Sequence, residues 1–174
     1  INATFAAGSP VLDLANVTGT TAINVSGNVA GTIDDLNAQT QAPVISVDGY
    51  AKGLTVTSLT NAGTTAASTA ETINLKVANT TAGKSKVTLT SDAAGTLETL
   101  NIESAGTAAN AFTLDASTNT VLSKVVMTGA ADVTMSVAAA ASSMLAEVSM
   151  VTVTVGMTAA ARALLRGTCI CRLE

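Results

Sequence analysis

The 174-residue chain is long enough for one domain or a short array of repeats, and it carries a net charge of −4 with a pI near 4.6. Apolar residues make up 48% of it and aromatic residues only 2%, so its core must be built from Ala, Val, Leu and Ile. Small and β-branched side chains suit flat stacked β-layers, whereas enzyme cores generally bury area with aromatic rings. The acidic balance, with no basic or aromatic cluster before residue 162, disfavours a nucleic-acid surface.

The first part of the chain contains short runs that alternate apolar with polar residues, which is typical of half-buried strands. Residues 1–10 are small and irregular and end at Pro10, so we interpret them as a leading segment without a strand. The alternation predicts strands at 11–14, 22–26, 44–47 and 54–59. Residues 31–37 fit either a strand or one helical turn capped by Thr32, and residues 60–70 form a wide turn or an exposed spacer.

Between residues 71 and 137 the runs recur at a nearly fixed interval. Those at 71–77 and 98–104 share Glu, Thr and Asn at matching places with an offset of 27 residues, and 122–127 follows 97–102 with an offset of 25. Periods of this size indicate stacked units that cannot bury a core singly. With two strands per coil, they predict an all-β fold, a right-handed parallel β-helix or β-solenoid in which Ile73 lies above Ile102. The number of strands also allows an immunoglobulin-like sandwich.

The C-terminal part departs from this pattern. Residues 138–147 are rich in the helix formers Ala, Met, Leu and Glu and predict a short helix or a loop crossing. Alternation returns at 148–155, and residues 158–174 then contain all three arginines and both cysteines. So abrupt a change of composition indicates sequence foreign to the domain, such as vector read-through or a frame-shifted end.

Few residues qualify for chemistry. The chain has no histidine, which removes Ser-His-Asp and Cys-His arrangements and most catalytic zinc sites. Cys169 and Cys171 lack a second ligand pair. The carboxylates lie where turns or the solvent side of strands are predicted. A glycosidase cleft also needs aromatic side chains to bind sugars, and one Tyr with two Phe cannot line it, so no catalytic residue is predicted. Asp34 and Asp35 are candidates for one weak calcium ion, although a solvated acidic turn explains them as well.

The Thr-, Ala- and Gly-rich strands resemble the central regions of bacterial surface-layer proteins of the Campylobacter and Caulobacter type. The likeness covers about residues 10–147 and is carried by residues 98–105 and 121–135. In that family a strand followed by Gly-x-x-Asp-Val-Thr recurs, as Gly129-Ala-Ala-Asp132-Val133-Thr134 does here. On this basis we expect a repetitive β-rich surface-layer domain over residues 1–147 and an atypical C-terminal segment over 148–174, either vector-derived or altered.

The resemblance implies a non-enzymatic structural module of a secreted protein that self-assembles into a lattice on the outer cell surface. Its partners would be neighbouring copies and, through regions outside this chain, outer-membrane lipopolysaccharide. Family members use calcium through C-terminal nonapeptides rich in Gly-Gly pairs, and this chain has no Gly-Gly pair. Calcium is therefore expected only in the full-length protein, with no cofactor here. The alternatives are an adhesin or passenger β-helix that binds a host or a glycan, and a carbohydrate-active β-helix enzyme.

Overall fold

The structure is a computed structural model, and apart from turns and short connections the residues that it describes form β-strands. These residues are 1–36, 42–58, 71–80, 85–91, 97–116, 124–139, 144–149, 152–157, 163–166 and 170–173. The predicted spacer at 60–70 lies outside them. Residues 31–36, for which the sequence allowed a strand or a helical turn, form a strand.

The strands occur in two sets that alternate along the chain. The odd-numbered strands are β1 Asn2–Phe5, β3 Ala22–Gly27, β5 Val44–Asp48, β7 Glu71–Ala78, β9 Leu97–Ser104, β11 Lys124–Gly129, β13 Met144–Ser149 and β15 Ala163–Arg166. The even-numbered strands are β2 Val11–Asp13, β4 Gly31–Leu36, β6 Gly53–Ser58, β8 Lys86–Ser91, β10 Asn110–Ala116, β12 Val133–Ala139, β14 Thr152–Met157 and β16 Ile170–Leu173.

The odd strands form one eight-stranded sheet and the even strands form another, here called the odd sheet and the even sheet. Every pair of neighbouring strands is parallel, and each strand pairs with the strand two places along the chain. Each odd strand and the even strand that follows it therefore make one coil of a β-solenoid. The predicted parallel β-solenoid is confirmed, and the immunoglobulin-like sandwich is wrong because that fold is built from antiparallel sheets.

The predicted repeat sets the register of the central coils. Asn74 pairs with Asn101 and Leu75 with Ile102, which confirms the offset of 27 residues. Met127 pairs with Ile102, which confirms the offset of 25. The expectation that Ile73 lies above Ile102 is wrong. Ile73 pairs with Leu100, two residues before Ile102, because the pairing of the shared Asn residues fixes the register and both strands keep their alternation.

The core lies between the two sheets and consists of aliphatic columns, each formed by equivalent residues of successive coils. In the odd sheet, one column runs through Ile23, Ile45, Leu75, Ile102 and Met127, all of them 0–2% exposed. The even sheet contributes a matching column of Ile33, Val56 and Leu89. Stacking like side chains about 4.8 Å apart fills this narrow interior without aromatic rings.

One β-bulge explains the acidic pair in β4. The register between β4 and β6 shifts between Ile33 and Leu36, and both of these residues are buried. Asp34 and Asp35 lie between them, and Asp35 has a φ of 54°. The extra residue lets two apolar side chains three positions apart point into the core, which strict alternation would forbid.

The corner after each odd strand from β1 to β11 uses left-handed backbone. Gly129 ends β11 with a φ of 123°, and a Cβ there would lie 2.1 Å from the Ser104 carbonyl oxygen of the coil before it. Asn79 takes the same left-handed region after β7, with a φ of 52°. The backbones of successive coils stack closely at the corner, and this requires glycine or another residue that tolerates left-handed backbone, such as asparagine.

The helix predicted at 138–147 is wrong wherever the chain is described there. Ala138 and Ala139 belong to β12, and the residues from Met144 onward form β13, while 140–143 lie outside the described residues. Helix propensity is a weak preference that the tertiary structure overrides, and here the neighbouring strands offer a complete backbone ladder. Strands β13 to β16 extend both sheets across residue 147 and into the C-terminal segment. That the segment is foreign to the domain stays a prediction.

A buried polar network holds the corner between β9 and β10. Asn110 is 0% exposed, and its Oδ1 accepts from the backbone N–H of Thr80 at 3.2 Å. Its Nδ2 donates to the Ser104 hydroxyl at 2.8 Å and to the Ala105 carbonyl at 2.9 Å. One side chain thus satisfies backbone and hydroxyl groups of two successive coils.

We expect Asn110→Leu to lower the free energy of unfolding by about 3 kcal/mol, because it leaves several buried polar groups without partners. The matched control is Asn101→Ala, which removes one half-buried hydrogen bond to Asn74 and should cost less than about 1 kcal/mol. Urea unfolding of both variants measures the difference. Equal losses would show that the corner network does not depend on Asn110.

Tyr50, the only tyrosine of the chain, closes the corner between β5 and β6. Its ring is 2% exposed and meets Phe5 edge-on with 6.3 Å between centroids, and its hydroxyl donates to the Val29 carbonyl at 2.5 Å. Burial raises the pKa of the hydroxyl above its ordinary value of 10.0, and this outweighs the opposing effect of a hydrogen bond from the Gly31 backbone.

The folded state therefore holds the Tyr50 proton more tightly than the unfolded chain does. The stability that this provides should be complete below pH 10.0 and be lost as the pH rises through the folded-state pKa. Because there is no tryptophan and no second tyrosine, tyrosinate absorbance reports this group alone. We expect the folded protein to titrate at higher pH than the urea-unfolded protein. Coincident titrations would contradict the buried placement of the hydroxyl.

Candidate association surface

The outer faces of the solenoid carry columns of polar, mostly uncharged side chains. They result from the same alternation that builds the core, since each buried residue is flanked by two that face outward. One outer column of the odd sheet is Asn2, Asn24, Ser46, Lys76, Glu103 and Thr128. One outer column of the even sheet is Val11, Thr32, Thr55, Thr88 and Asp115.

Side-chain hydrogen bonds join neighbouring coils along these columns. Asn24 Nδ2 donates to Asn2 Oδ1 at 2.9 Å, and Asn101 Nδ2 donates to Asn74 Oδ1 at 2.8 Å. The Thr4 and Ser26 hydroxyls lie 3.1 Å apart in the first two coils. These side-chain hydrogen bonds join the same neighbouring strands that the backbone hydrogen bonds join. They therefore hold the outer side chains in a fixed arrangement.

Two ion pairs connect the fourth and fifth coils, one on each sheet. Lys76 Nζ lies 2.7 Å from Glu103 Oε1 on the odd sheet, and Lys86 Nζ lies 3.1 Å from Asp115 Oδ2 on the even sheet. Both pairs are largely exposed, so each contributes at most about 1 kcal/mol. Their main effect is to neutralise charge on the outer faces.

A shallow depression of about 400 Å³ lies on the odd sheet over strands β3, β5 and β7. Small side chains, Ser26, Ser46 and Ala78, leave room there, while Asp48 and Lys76 supply charge. Asp48 also accepts a hydrogen bond from Asn79 Nδ2 at 2.6 Å. The depression is open and its lining is more apolar than polar, with Val25 and Val47 contributing, and none of its lining residues is aromatic.

Several carboxylates of the described residues hold structural contacts. Glu103 and Asp115 pair with lysines, and Asp13 Oδ1 accepts the Ala15 N–H in a turn. The calcium candidates Asp34 and Asp35 both lie at the bulge, and Asp34 pairs in register with Asp13 of β2. No group of three possible metal-ligating side chains occurs among the residues that the structure describes.

Strands β1 and β2 are the outermost strands of their sheets at one end of the described stack. Among the residues whose side chains the structure describes, the exposed large hydrophobic ones lie in or next to this first coil: Ile1 at 46%, Val11 at 58% and Val17 at 37%.

The sequence interpretation missed this end, since it left residues 1–10 without a strand, whereas Asn2 to Phe5 form β1. A signal was present: Asn2-Ala3-Thr4 repeats the polar, apolar, polar order of Asn24-Val25-Ser26 at an offset of 22 residues. The strand is only four residues long, and Pro10 and Gly8 nearby favour irregular structure, so alternation alone did not reveal it.

Comparison with protein-family models, with curated proteins and with solved structures finds no match for this chain. The described residues include no helix of the length and hydrophobicity that crossing a membrane requires. Inferences about function therefore rest on the surfaces described above.

Proposed function

We propose that the chain is a structural module of a secreted bacterial surface layer, which associates with neighbouring copies in a lattice on the outer cell surface. The observation that carries this proposal is the combination of two continuous parallel sheets with outer columns of mostly uncharged polar side chains. A stack of this kind is a stiff element with long, regular faces, which is what a lattice unit needs.

The outer faces support the same role. Charged residues make up only 11% of the chain, and the pairs Lys76–Glu103 and Lys86–Asp115 on these faces each combine opposite charges. Side-by-side packing of such molecules involves little desolvation of charge and little like-charge repulsion. Asn and Thr columns offer donors and acceptors at the regular spacing of the coils, so equivalent contacts can repeat along a face.

The roles of the carboxylates favour a structural module over an enzyme. Hydrolysis of a glycoside needs two carboxyl groups on either side of a bound sugar. Glu103, Asp115 and Asp13 instead hold neighbouring coils or turns. We propose accordingly that the module is not an enzyme and takes no cofactor, and that calcium and lipopolysaccharide contacts, where the full protein has them, involve regions outside this chain. The net charge of −4 favours partners other than nucleic acid.

Sedimentation velocity over a wide concentration range, followed by negative-stain microscopy of concentrated protein, tests the proposal. We expect monomers in weak, concentration-dependent association, and ordered sheets or rows once the protein is concentrated, because each contact is small but repeated. A tight and small closed oligomer that never extends would contradict a lattice role. Specific binding of a glycan by chains that stay monomeric would favour the adhesin alternative, with the depression over β3, β5 and β7 as its site.

A further inference from the structure

We propose that Asp48–Gly49 is a latent site of self-modification, at which the chain rearranges to isoaspartate when the corner between β5 and β6 separates from β7. The reaction needs no enzyme and no cofactor, and the proposal is independent of the lattice role. It rests on the sequence at this corner and on two hydrogen bonds that tie the corner to the next coil.

The sequence at the corner is the most reactive one that an aspartate can have. Asp48–Gly49 is the only Asp-Gly step of the chain, which has no Asn-Gly step. The amide nitrogen of a following glycine attacks an aspartyl carboxyl group most readily, because glycine has no side chain to hinder the approach. Both residues are exposed in the turn after β5. Water, which the reaction consumes, therefore reaches them.

The rearrangement is balanced by water alone. The Gly49 amide nitrogen loses its proton and forms a bond to the carboxyl carbon of the Asp48 side chain. A carboxyl oxygen leaves as water, which gives a five-membered succinimide. Water then adds to one of the two ring carbonyls. Opening at the former backbone carbonyl leaves the peptide bond on the side chain and yields isoaspartate, whereas opening at the other carbonyl restores aspartate.

The folded corner blocks the first step at the nitrogen. The Gly49 N–H donates to the Ala78 carbonyl oxygen of β7 at 2.9 Å, so the nitrogen is fixed in the backbone ladder. Asp48 is the last residue of β5 and lies opposite Ala78 in the register of the two strands. In a strand the side chain stands out from the backbone, away from the next amide nitrogen. Ring closure therefore requires Asp48 to leave the strand conformation.

The carboxyl group is held by the same coil. Asp48 Oδ1 accepts a hydrogen bond from Asn79 Nδ2 at 2.6 Å. Asn79 directly follows β7 and has left-handed backbone, with a φ of 52°. The attacking nitrogen and the carboxyl group are thus bound separately, to the consecutive residues Ala78 and Asn79. A local opening between these two coils releases both groups together.

Isoaspartate would alter the corner where it forms. The rearranged chain contains one additional backbone carbon atom before Gly49. The Gly49 N–H would then be displaced from the Ala78 carbonyl, and the corner would close less well over β7. The isoaspartate content therefore records how long the corner has been open, and the contact between β5 and β7 sets the chemical lifetime of the module.

Incubation of the whole chain for several weeks at neutral pH and physiological temperature tests the proposal. Mass spectrometry with a fragmentation that distinguishes isoaspartate measures its formation at position 48. We expect the folded chain to react at least about tenfold more slowly than the chain unfolded in guanidinium, because the reaction has to await local opening.

Two variants separate the hydrogen bond of Asn79 from general destabilisation. Asn79→Gly removes the amide group and keeps the left-handed backbone, and it should accelerate the reaction roughly fivefold, the effect of one lost hydrogen bond. The matched control is Asn101→Ala, which removes the hydrogen bond to Asn74 and does not touch Asp48. It should react as the wild type does. Thermal unfolding verifies that both variants are folded.

Gly49→Asn tests the chemistry itself. Asparagine tolerates left-handed backbone, here with a φ of 62°, and the space beside Gly49 is open, so the corner is retained while the new side chain hinders attack. This variant should form almost no isoaspartate at position 48.

Any one of four results overturns the proposal. They are equal rates in the folded and unfolded wild type, no acceleration in Asn79→Gly, equal acceleration in Asn101→Ala and Asn79→Gly, and as much isoaspartate at position 48 in Gly49→Asn as in the wild type.

Discussion

The fold depends on one constraint, the fixed register between parallel strands of successive coils. Every coil must present its aliphatic residues at the same places as the coil before it, since a slip of one residue would turn the whole inward set to the solvent. The column from Ile23 through Leu75 to Met127 shows the result, a continuous interior of stacked side chains. The polar network of Asn110 and the left-handed corners then let the chain turn at the same level in each coil.

The same constraint shapes the outside. Because inward residues stack, outward residues stack as well, and the outer faces become rows of like polar groups such as Asn2 with Asn24 and Asn74 with Asn101. A repetitive interior therefore produces a repetitive surface, and a repetitive surface can make repeated weak contacts. This property connects the fold to the proposed role in a lattice.

Much of the architecture could be predicted from the sequence because the repeat is directly visible there. The Glu, Thr and Asn shared by 71–77 and 98–104 gave the period and two strands per coil, and from them the solenoid. The expected partner of Ile73, Ile102, was inconsistent with the offset of 27 residues, which already places Leu100 opposite Ile73, as the structure does. The bulge at Asp34 and Asp35 could not be foreseen, since it serves the burial of Ile33 and Leu36 and leaves no turn signal.

Two further misses have physical reasons. At residues 138–139 and 144–147, local preference for helix was outweighed by the ladder that neighbouring strands provide, an effect that a propensity argument does not include. Strand β1 was missed because a four-residue edge strand derives its stability from the strand beside it rather than from its own pattern. The calcium candidates, in contrast, could be located in the sequence, and the structure assigns them to a bulge.

Disulfide trapping across the coils tests the central claim most directly. In a chain with both native cysteines replaced by serine, Asn74→Cys with Asn101→Cys places two thiols on adjacent rungs, about 4.8 Å apart along the stack, which a disulfide can bridge. Asn74→Cys with Val126→Cys places them two rungs apart in the same column, beyond the roughly 7 Å limit. The stacked register predicts that mild oxidation closes the first pair within one molecule and leaves the second open. An open first pair, or equal closure of both, would contradict it.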